Sequence, residues 1–456
     1  MRSFIMIFIL ISALFHTGPN EMTISIEPAE AVYGTPISMT ISGLEPGEDA
    51  TLKASSIDGS GIIWVSTATF KADRNGAIDL SRQAPLSGDY NEPDVMGPLW
   101  SMKPSNSRNN DRVFRKHAHG LTVQFQSINS RGETTTAFLK RYYQKPDEGL
   151  VQVMLDANGC KGFLFYPETG GPFPGIILLS GSGGGMNTSL AKAFASNGFA
   201  ALALAYFRYP GLPGYLEEIP LEYFLGAIEW MQNHKAVQKT NLGLVGHSKG
   251  GECALLLASL YNEFNAVVAY VPSAYVWKCV SPDVKSCWSL AGKGLSFIST
   301  IETQEEVQQF YRGELSSIRK WFTDGLAAAD PDLIEKATIR VEKIKAPIFL
   351  ASDTDDRTWP SSEFCETIVQ RLKAHHFPYE YKHIRGEKAG HHVYYPDFIP
   401  GIDTGVNGGE PRNKVKWSLI VWQETLAFLD KHLQKGTTTG CDCLPSCRLI
   451  LVSQLF

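Results

Sequence analysis

Ser248 stands in the run "LGLVGHSKGGE" (residues 242–252), where Gly246-His247-Ser248-Lys249-Gly250 fits the pattern G-x-S-x-G. A chain of this length meets that pattern by chance roughly one time in six, so the pentapeptide alone carries little. A serine hydroxyl becomes a nucleophile only beside a general base that a carboxylate orients. Suitable partners follow in the order serine, acid, histidine that hydrolases of the strand–turn–helix type use. "DTDDRTW" (353–359) offers Asp353, Asp355 and Asp356, and "EKAGHHVYYPD" (387–397) offers His391 and His392. At this level the choice within each cluster stays open. His247 lies inside the turn itself. The glycine-rich "SGSGGG" (180–185) lacks the Lys-Ser/Thr ending of a phosphate-binding P-loop. It suits a loop donating a backbone N–H to an oxyanion, with Gly183 as its candidate and the Lys249 N–H as the second donor.

Such a site needs a rigid sheet to hold it. "LGLV" before the serine reads as a strand and "GGECALLLASL" after it as a helix. The glycines permit a strained turn, and the helix N-terminus points N–H groups at developing negative charge. The same alternation runs on both sides. "KGFLFYPE", "PGIILLSGSGGG", "FAALALAY", "FNAVVAYV", "APIFLAS" and "YEYKHIRG" are short strand-like runs, most of them strongly apolar. Helix-length segments such as "NTSLAKAFASNG" and "LEYFLGAIEWMQNH" separate most of them. This pattern predicts a mostly parallel sheet with helices on both faces, the α/β-hydrolase class. Strands "APIFLASD" and "YEYKHIRG" end just before the acidic and histidine clusters, which places all three groups at one sheet edge. Residues 276–342 are charged, with helical periodicity and no strong strand. They read as an insertion that forms part of a pocket wall.

Residues 22–145 have another texture: short alternating runs such as "ISMTISGLEPGEDATLKASSI", "IIWVSTATFKADRNGAIDL" and "LTVQFQSI", separated by turn residues. They predict an immunoglobulin-like β-sandwich, with "YNEPDVMGPLWSMKP" as a long loop. The catalytic domain is expected over 146–435, with an apolar extension over 1–21 and a tail over 436–456. The 456-residue chain has a net charge of −5 and a pI near 6.1, which argues against nucleic acid as a partner. Eight scattered cysteines read as free thiols of a reducing compartment. Cys441, Cys443 and Cys447 cluster in the tail without a histidine to complete a zinc set, so no metal and no cofactor is expected. "MRSFIMIFILISALF" has the length of a signal-peptide core but poor cleavage residues, and Met22 is an alternative start. The expected product is intracellular (cytoplasm, peroxisome or mitochondrion), or secretory if that segment is a true signal. No stable membrane span is expected. "SQL" near the end is blocked as a peroxisomal address by Phe456.

With these residues in view, the chain resembles the type I acyl-CoA thioesterases and their relative, bile acid-CoA:amino acid N-acyltransferase. The matching segments run in order over nearly all of 22–433: "GLEPGE", "MGPLWSM", "GPFPGIILLSGSGGG", "GHSKGGE", "DDRTWPSSEF", "AGHHVYYP" and "GGEPRNK". The resemblance implies a β-sandwich followed by an α/β-hydrolase domain, and a fatty acyl-CoA substrate. It also implies the acid at Asp356, the second Asp of the pair before Trp359, and the base at His391, which follows Ala-Gly. Asp355 and His392 are the runners-up. The transferase of this family carries Cys where Ser248 stands, so Ser248 implies hydrolysis through an acyl-serine intermediate. N-acyl transfer to an amino acid and non-catalytic acyl-lipid binding are the competing functions. The apolar extension, the cysteine-bearing tail and residues 276–342 depart from the family pattern. They bear on localisation and substrate range.

Overall fold

A computed structural model describes residues 21–105, 114–117, 120–144, 149–279, 283–392, 395–396, 398–400 and 405–433. Most of the apolar extension, and the tail with Cys441, Cys443 and Cys447, lie outside the described residues. The alternating N-terminal runs form two sheets. Thr23–Glu27, Ser38–Ser42 and Ile78–Asp79 make a three-stranded one. The larger runs in the order Glu30–Val32, Thr134–Tyr142, Gly120–Asn129, Asp49–Ile57, Ile63–Lys71 and Ser87–Gly88, with Lys103–Pro104 added against Ile63–Lys71. Period-two side chains decide which face is buried. Ile26, Met39 and Ile41 of the small sheet share one apolar core with Leu52, Phe70, Val123, Phe125 and Leu139 of the large one. Within the segment read as a long loop, Gly97–Trp100 closes a single helical turn with Pro98 in its first turn.

The second half is built on an eight-stranded sheet. Its strands are β1 (Leu150–Ala157), β2 (Cys160–Pro167), β3 (Phe173–Leu179), β4 (Ala200–Ala205), β5 (Val237–His247), β6 (Ala266–Tyr270), β7 (Ile348–Asp353) and β8 (Tyr381–Gly386), in the spatial order β1-β2-β4-β3-β5-β6-β7-β8. β2 is antiparallel to both its neighbours, and every pairing from β4 to β8 is parallel. β4, β6 and β7 are buried at every residue, which explains why they read as continuous apolar runs rather than alternating ones. This is the α/β-hydrolase fold.

Helices α1 (Thr188–Ala195), α2 (Tyr223–Asn233) and α3 (Lys249–Leu260) follow β3, β4 and β5. The stretch between β6 and β7 holds α4 (Gln304–Tyr311), α5 (Arg319–Ala328) and α6 (Pro331–Ala337). A capping box of Thr303 and Glu306 starts α4. Two short strands, Trp288–Leu290 and Lys293–Gly294, also form there and join Ile219–Pro220 in a small sheet. Strands of two or three residues are too brief for periodicity to show them. After β7 comes α7 (Ser361–Ala374), and α8 (Pro411–His432) closes the fold with Pro411 at its first turn. α8 docks on the N-terminal half as well, through Arg412–Glu92 (2.5 Å) and Lys416–Asp94 (3.6 Å). Cys160, Cys253, Cys279, Cys287 and Cys365 are buried free thiols. Among the described residues, no helix is long and apolar enough to cross a membrane.

Candidate active site

β5 lies between β3 and β6, so its C-terminal end sits at the middle of the sheet edge. The chain turns there into α3 within one residue. Ser248 adopts φ 57° and ψ −121°, a conformation that costs a non-glycine residue about 1–3 kcal/mol. Its N–H donates to the Tyr270 carbonyl at 2.9 Å, which tethers the turn to β6. The two motif glycines are steric necessities. A Cβ at Gly246 would lie 2.0 Å from the Gly250 carbonyl oxygen, and one at Gly250 would lie 2.4 Å from that of Leu179.

The structure brings Ser248, His391 and Asp356 into one chain of hydrogen bonds. Ser248 Oγ is 2.9 Å from His391 Nε2, and His391 Nδ1 is 2.8 Å from Asp356 Oδ2. All three residues are buried, Asp356 completely. The other carboxylate oxygen of Asp356 accepts N–H bonds from Thr358 (3.0 Å) and Trp359 (3.2 Å), so Oδ2 alone faces the imidazole. That arrangement stabilises the Nδ1–H tautomer and leaves Nε2 to accept the serine proton.

The competing residues have other partners. Asp353 accepts N–H bonds from Ala389 and Gly390, both at 2.9 Å, and from Asp355 at 2.8 Å. It therefore ties the end of β7 to the two residues before His391. Burial lifts its pKa above the ordinary carboxylate value, against the pull of those amides. Asp355 faces Arg357 through two bonds (2.9 and 3.0 Å) and accepts the Gly409 N–H (2.8 Å). Burial works upward on Asp355, but Arg357 and that amide hold its pKa below the usual value. The His392 ring stacks on His247 (5.4 Å between centroids, 19°), while His391 makes the bond to Ser248.

The "SGSGGG" loop approaches the nucleophile through Gly181, where a Cβ would sit 3.2 Å from Ser248 Cβ. Gly184 and Gly185 already spend their N–H groups, on the carbonyls of Gly181 and Phe207, both at 3.1 Å. Gly183 lies two residues beyond the contact with open space beside it, and its carbonyl accepts a long bond from Arg208 (3.5 Å). Lys249 is the first residue of α3, so its N–H has no place in the helical ladder. Its side chain is also buried. The ammonium pairs with Glu252 at 2.9 Å, and Glu252 accepts the Trp288 indole N–H at 2.8 Å. Burial works against the Lys249 charge, but Cys287 and Glu252 raise its pKa above the ordinary value.

The inserted segment grips the acid turn directly. The Arg357 carbonyl accepts from Ser317 Oγ (3.0 Å), the Ile318 N–H (2.9 Å) and the Arg319 N–H (3.0 Å). The Arg319 guanidinium donates to the Asp356 carbonyl at 3.0 Å. Phe322 of α5 packs edge-on against Trp277 (4.9 Å) and Trp359 (5.5 Å), and Trp359 in turn packs against His391 (6.0 Å).

Residues 34–153 match the acyl-CoA thioester hydrolase/BAAT N-terminal region, and residues 219–435 match the BAAT/acyl-CoA thioester hydrolase C-terminal region. Acyl-coenzyme A thioesterase 1 of Rattus norvegicus is 30% identical over 429 residues, covering 91% of this chain and 97% of that protein. The chain belongs to the acyl-CoA thioester hydrolase/BAAT family. Acyl-coenzyme A thioesterase 1 of Mus musculus is 29% identical over 445 residues, covering 93% of this chain and 98% of its own. Mitochondrial acyl-coenzyme A thioesterase 2 of Mus musculus is 28% identical over 431 residues, covering 91% and 90%.

Asp353 was legible only as one candidate acid among three, and nothing in the sequence marks its structural role of holding the two residues before His391. Arg319 lies 37 positions before Asp356 with nothing to connect them. Only the Lys249–Glu252 pair had a local signal, since residues three apart face each other in the first turn of a helix.

Proposed function

We propose that the protein hydrolyses fatty acyl-CoA to free fatty acid and CoA through an acyl-Ser248 intermediate. The observation that carries this reading is the buried chain from Ser248 through His391 to Asp356, held in a chain whose relatives are acyl-coenzyme A thioesterases. His391 Nε2 takes the Ser248 proton as Oγ attacks the thioester carbonyl. The Lys249 and Gly183 N–H groups are the proposed donors to the oxyanion. Protonated His391, stabilised by Asp356, gives its proton to the CoA sulfur as the C–S bond breaks, so CoA leaves as the thiol. His391, neutral again, takes a proton from water as that water attacks the acyl ester, and hands it to Ser248 Oγ as the fatty acid is freed. Trp359 packs edge-on against the base, with Phe322 and Trp277 behind it, and so keeps that side of His391 apolar. The five buried free thiols favour an intracellular, reducing compartment.

An ester of serine is cleared by activated water, which is why Ser248 supports hydrolysis over transfer to an amine. The test is a panel of acyl-CoA substrates from short to very long chains, with free CoA and acyl products measured in the presence of glycine and taurine. Free acid should dominate, and Ser248→Ala should abolish turnover while the fold is kept. A dominant amide product would make the protein an N-acyltransferase. Substantial turnover by Ser248→Ala would remove the serine from the reaction.

A further inference from the structure

His247 takes no part in the chain from Ser248 to Asp356, yet its ring lies against both histidines of the base loop. Its centroid is 5.1 Å from that of His391 and 5.4 Å from that of His392. Its Nε2 lies 3.1 Å from the His391 carbonyl oxygen. A carbonyl oxygen only accepts, so His247 carries its proton on Nε2 and donates it there.

That bond links the residue immediately before the nucleophile to the backbone of the base, 144 positions further along. Among the described residues, further anchors of the base loop run to other segments. The Ala389 and Gly390 N–H groups go to Asp353, the His391 N–H goes to the Asn407 carbonyl (2.7 Å), and Nδ1 goes to Asp356. These fix the base loop against the acid turn and the segment before α8. They do not fix its distance from the elbow. We infer that His247 is a positioning residue: its bond to the His391 carbonyl holds the base loop against the elbow and so sets the Ser248–His391 distance.

This inference rests on Ser248 as nucleophile and His391 as base. Ser248 Oγ and His391 Nε2 are 2.9 Å apart, and a displacement of about 1 Å carries such a pair outside hydrogen-bonding range. Misplacement on that scale costs up to roughly 100-fold in rate. Burial and the neighbouring His391 push the His247 pKa down to about 3, so the ring stays neutral over any working pH. Its role is that of a fixed donor and not of a second base.

The experiment compares wild type, His247→Phe and His247→Gln as full chains. Phe keeps the flat ring without the donor, whereas Gln replaces the ring with an amide N–H of similar reach. Three quantities are read: the rate of Ser248 modification by a fluorophosphonate, kcat and KM for the best acyl-CoA of the panel, and Tm. His247→Phe should lower the modification rate and kcat by roughly 10- to 100-fold, with KM within about threefold of wild type. His247→Gln should recover most of that loss. Should His247→Phe give no soluble protein, His247→Met, smaller and also without a donor, takes its place. Wild-type rates in the Phe variant would overturn the inference, as would equal losses in the Phe and Gln variants, which would make His247 a packing residue. A wild-type protein whose Ser248 takes no phosphonate would overturn the nucleophile reading itself, and the inference with it.

Discussion

Exchange of each aspartate of the acid turn for asparagine separates chemistry from architecture. In Asp356→Asn, one carboxylate oxygen must still accept the N–H groups of Thr358 and Trp359 (3.0 and 3.2 Å), so the amide carbonyl takes that place. The amide NH2 is then forced toward His391 Nδ1, where Oδ2 stood at 2.8 Å. An NH2 only donates, so Nδ1 must give up its proton and Nε2 must carry it. Nε2–H faces Ser248 Oγ at 2.9 Å and can no longer accept the serine proton. A wrong tautomer of this kind costs about 10⁴-fold in kcat, equivalent to about 5 kcal/mol of barrier.

Asp353→Asn should behave oppositely. Its oxygens accept three amides, from Asp355, Ala389 and Gly390, in a fully buried position. An NH2 would oppose at least one of those N–H groups, a loss of about 2 kcal/mol that lowers Tm by roughly 4–8 °C in a domain of this size. Asp355→Asn, at a partly exposed pair with Arg357, should change both quantities least. The assays are acyl-CoA hydrolysis followed by thiol release and thermal unfolding of the same preparations. The reasoning fails if Asp356→Asn keeps more than about a tenth of wild-type kcat, or if Asp353→Asn damages turnover more than Asp356→Asn does.

Two further outcomes follow from the elbow. Ser248→Gly should abolish turnover yet stabilise the protein by about 1 kcal/mol, because glycine adopts φ 57°, ψ −121° without strain; an unchanged or lower midpoint in urea would show that the turn stores no strain. The second concerns acid. His247 is held down to about 3 by burial and His391, whereas an unfolded imidazole titrates near 6.5. Between those values the unfolded chain binds the extra proton, so stability is lost as pH falls through that window and is unaffected by this group above it. The slope is up to roughly 1.4 kcal/mol per pH unit. His247→Gln should flatten the fall in stability between about pH 6 and pH 4, and parallel curves for the two proteins would contradict the assignment.

Much of the architecture was legible because it is a local matter. Continuous apolar runs such as β4 and β7 announce strands covered on both faces, and Gly246 and Gly250 flank a serine at a strand-to-helix boundary where no Cβ fits. The order of serine, acids and histidines, each cluster just past a strand, placed the groups at one sheet edge. Strands of two or three residues, such as Trp288–Leu290, were not legible, since a period needs several residues to show.

What the sequence determined by itself was therefore the elbow, the sheet and the order of the reacting groups. It could not choose among Asp353, Asp355 and Asp356 on local grounds, because three carboxylates in one turn differ only in the direction each side chain takes. Direction is decided by what folds against the turn. Amides of the base loop claim Asp353, Arg357 and Gly409 claim Asp355, and the imidazole of His391 is left facing Asp356. The grip of Arg319 on the acid turn and of His247 on the base loop likewise joins residues 37 and 144 positions apart. Contacts at that separation leave no periodic trace in a single chain, and only the folded molecule brings them together.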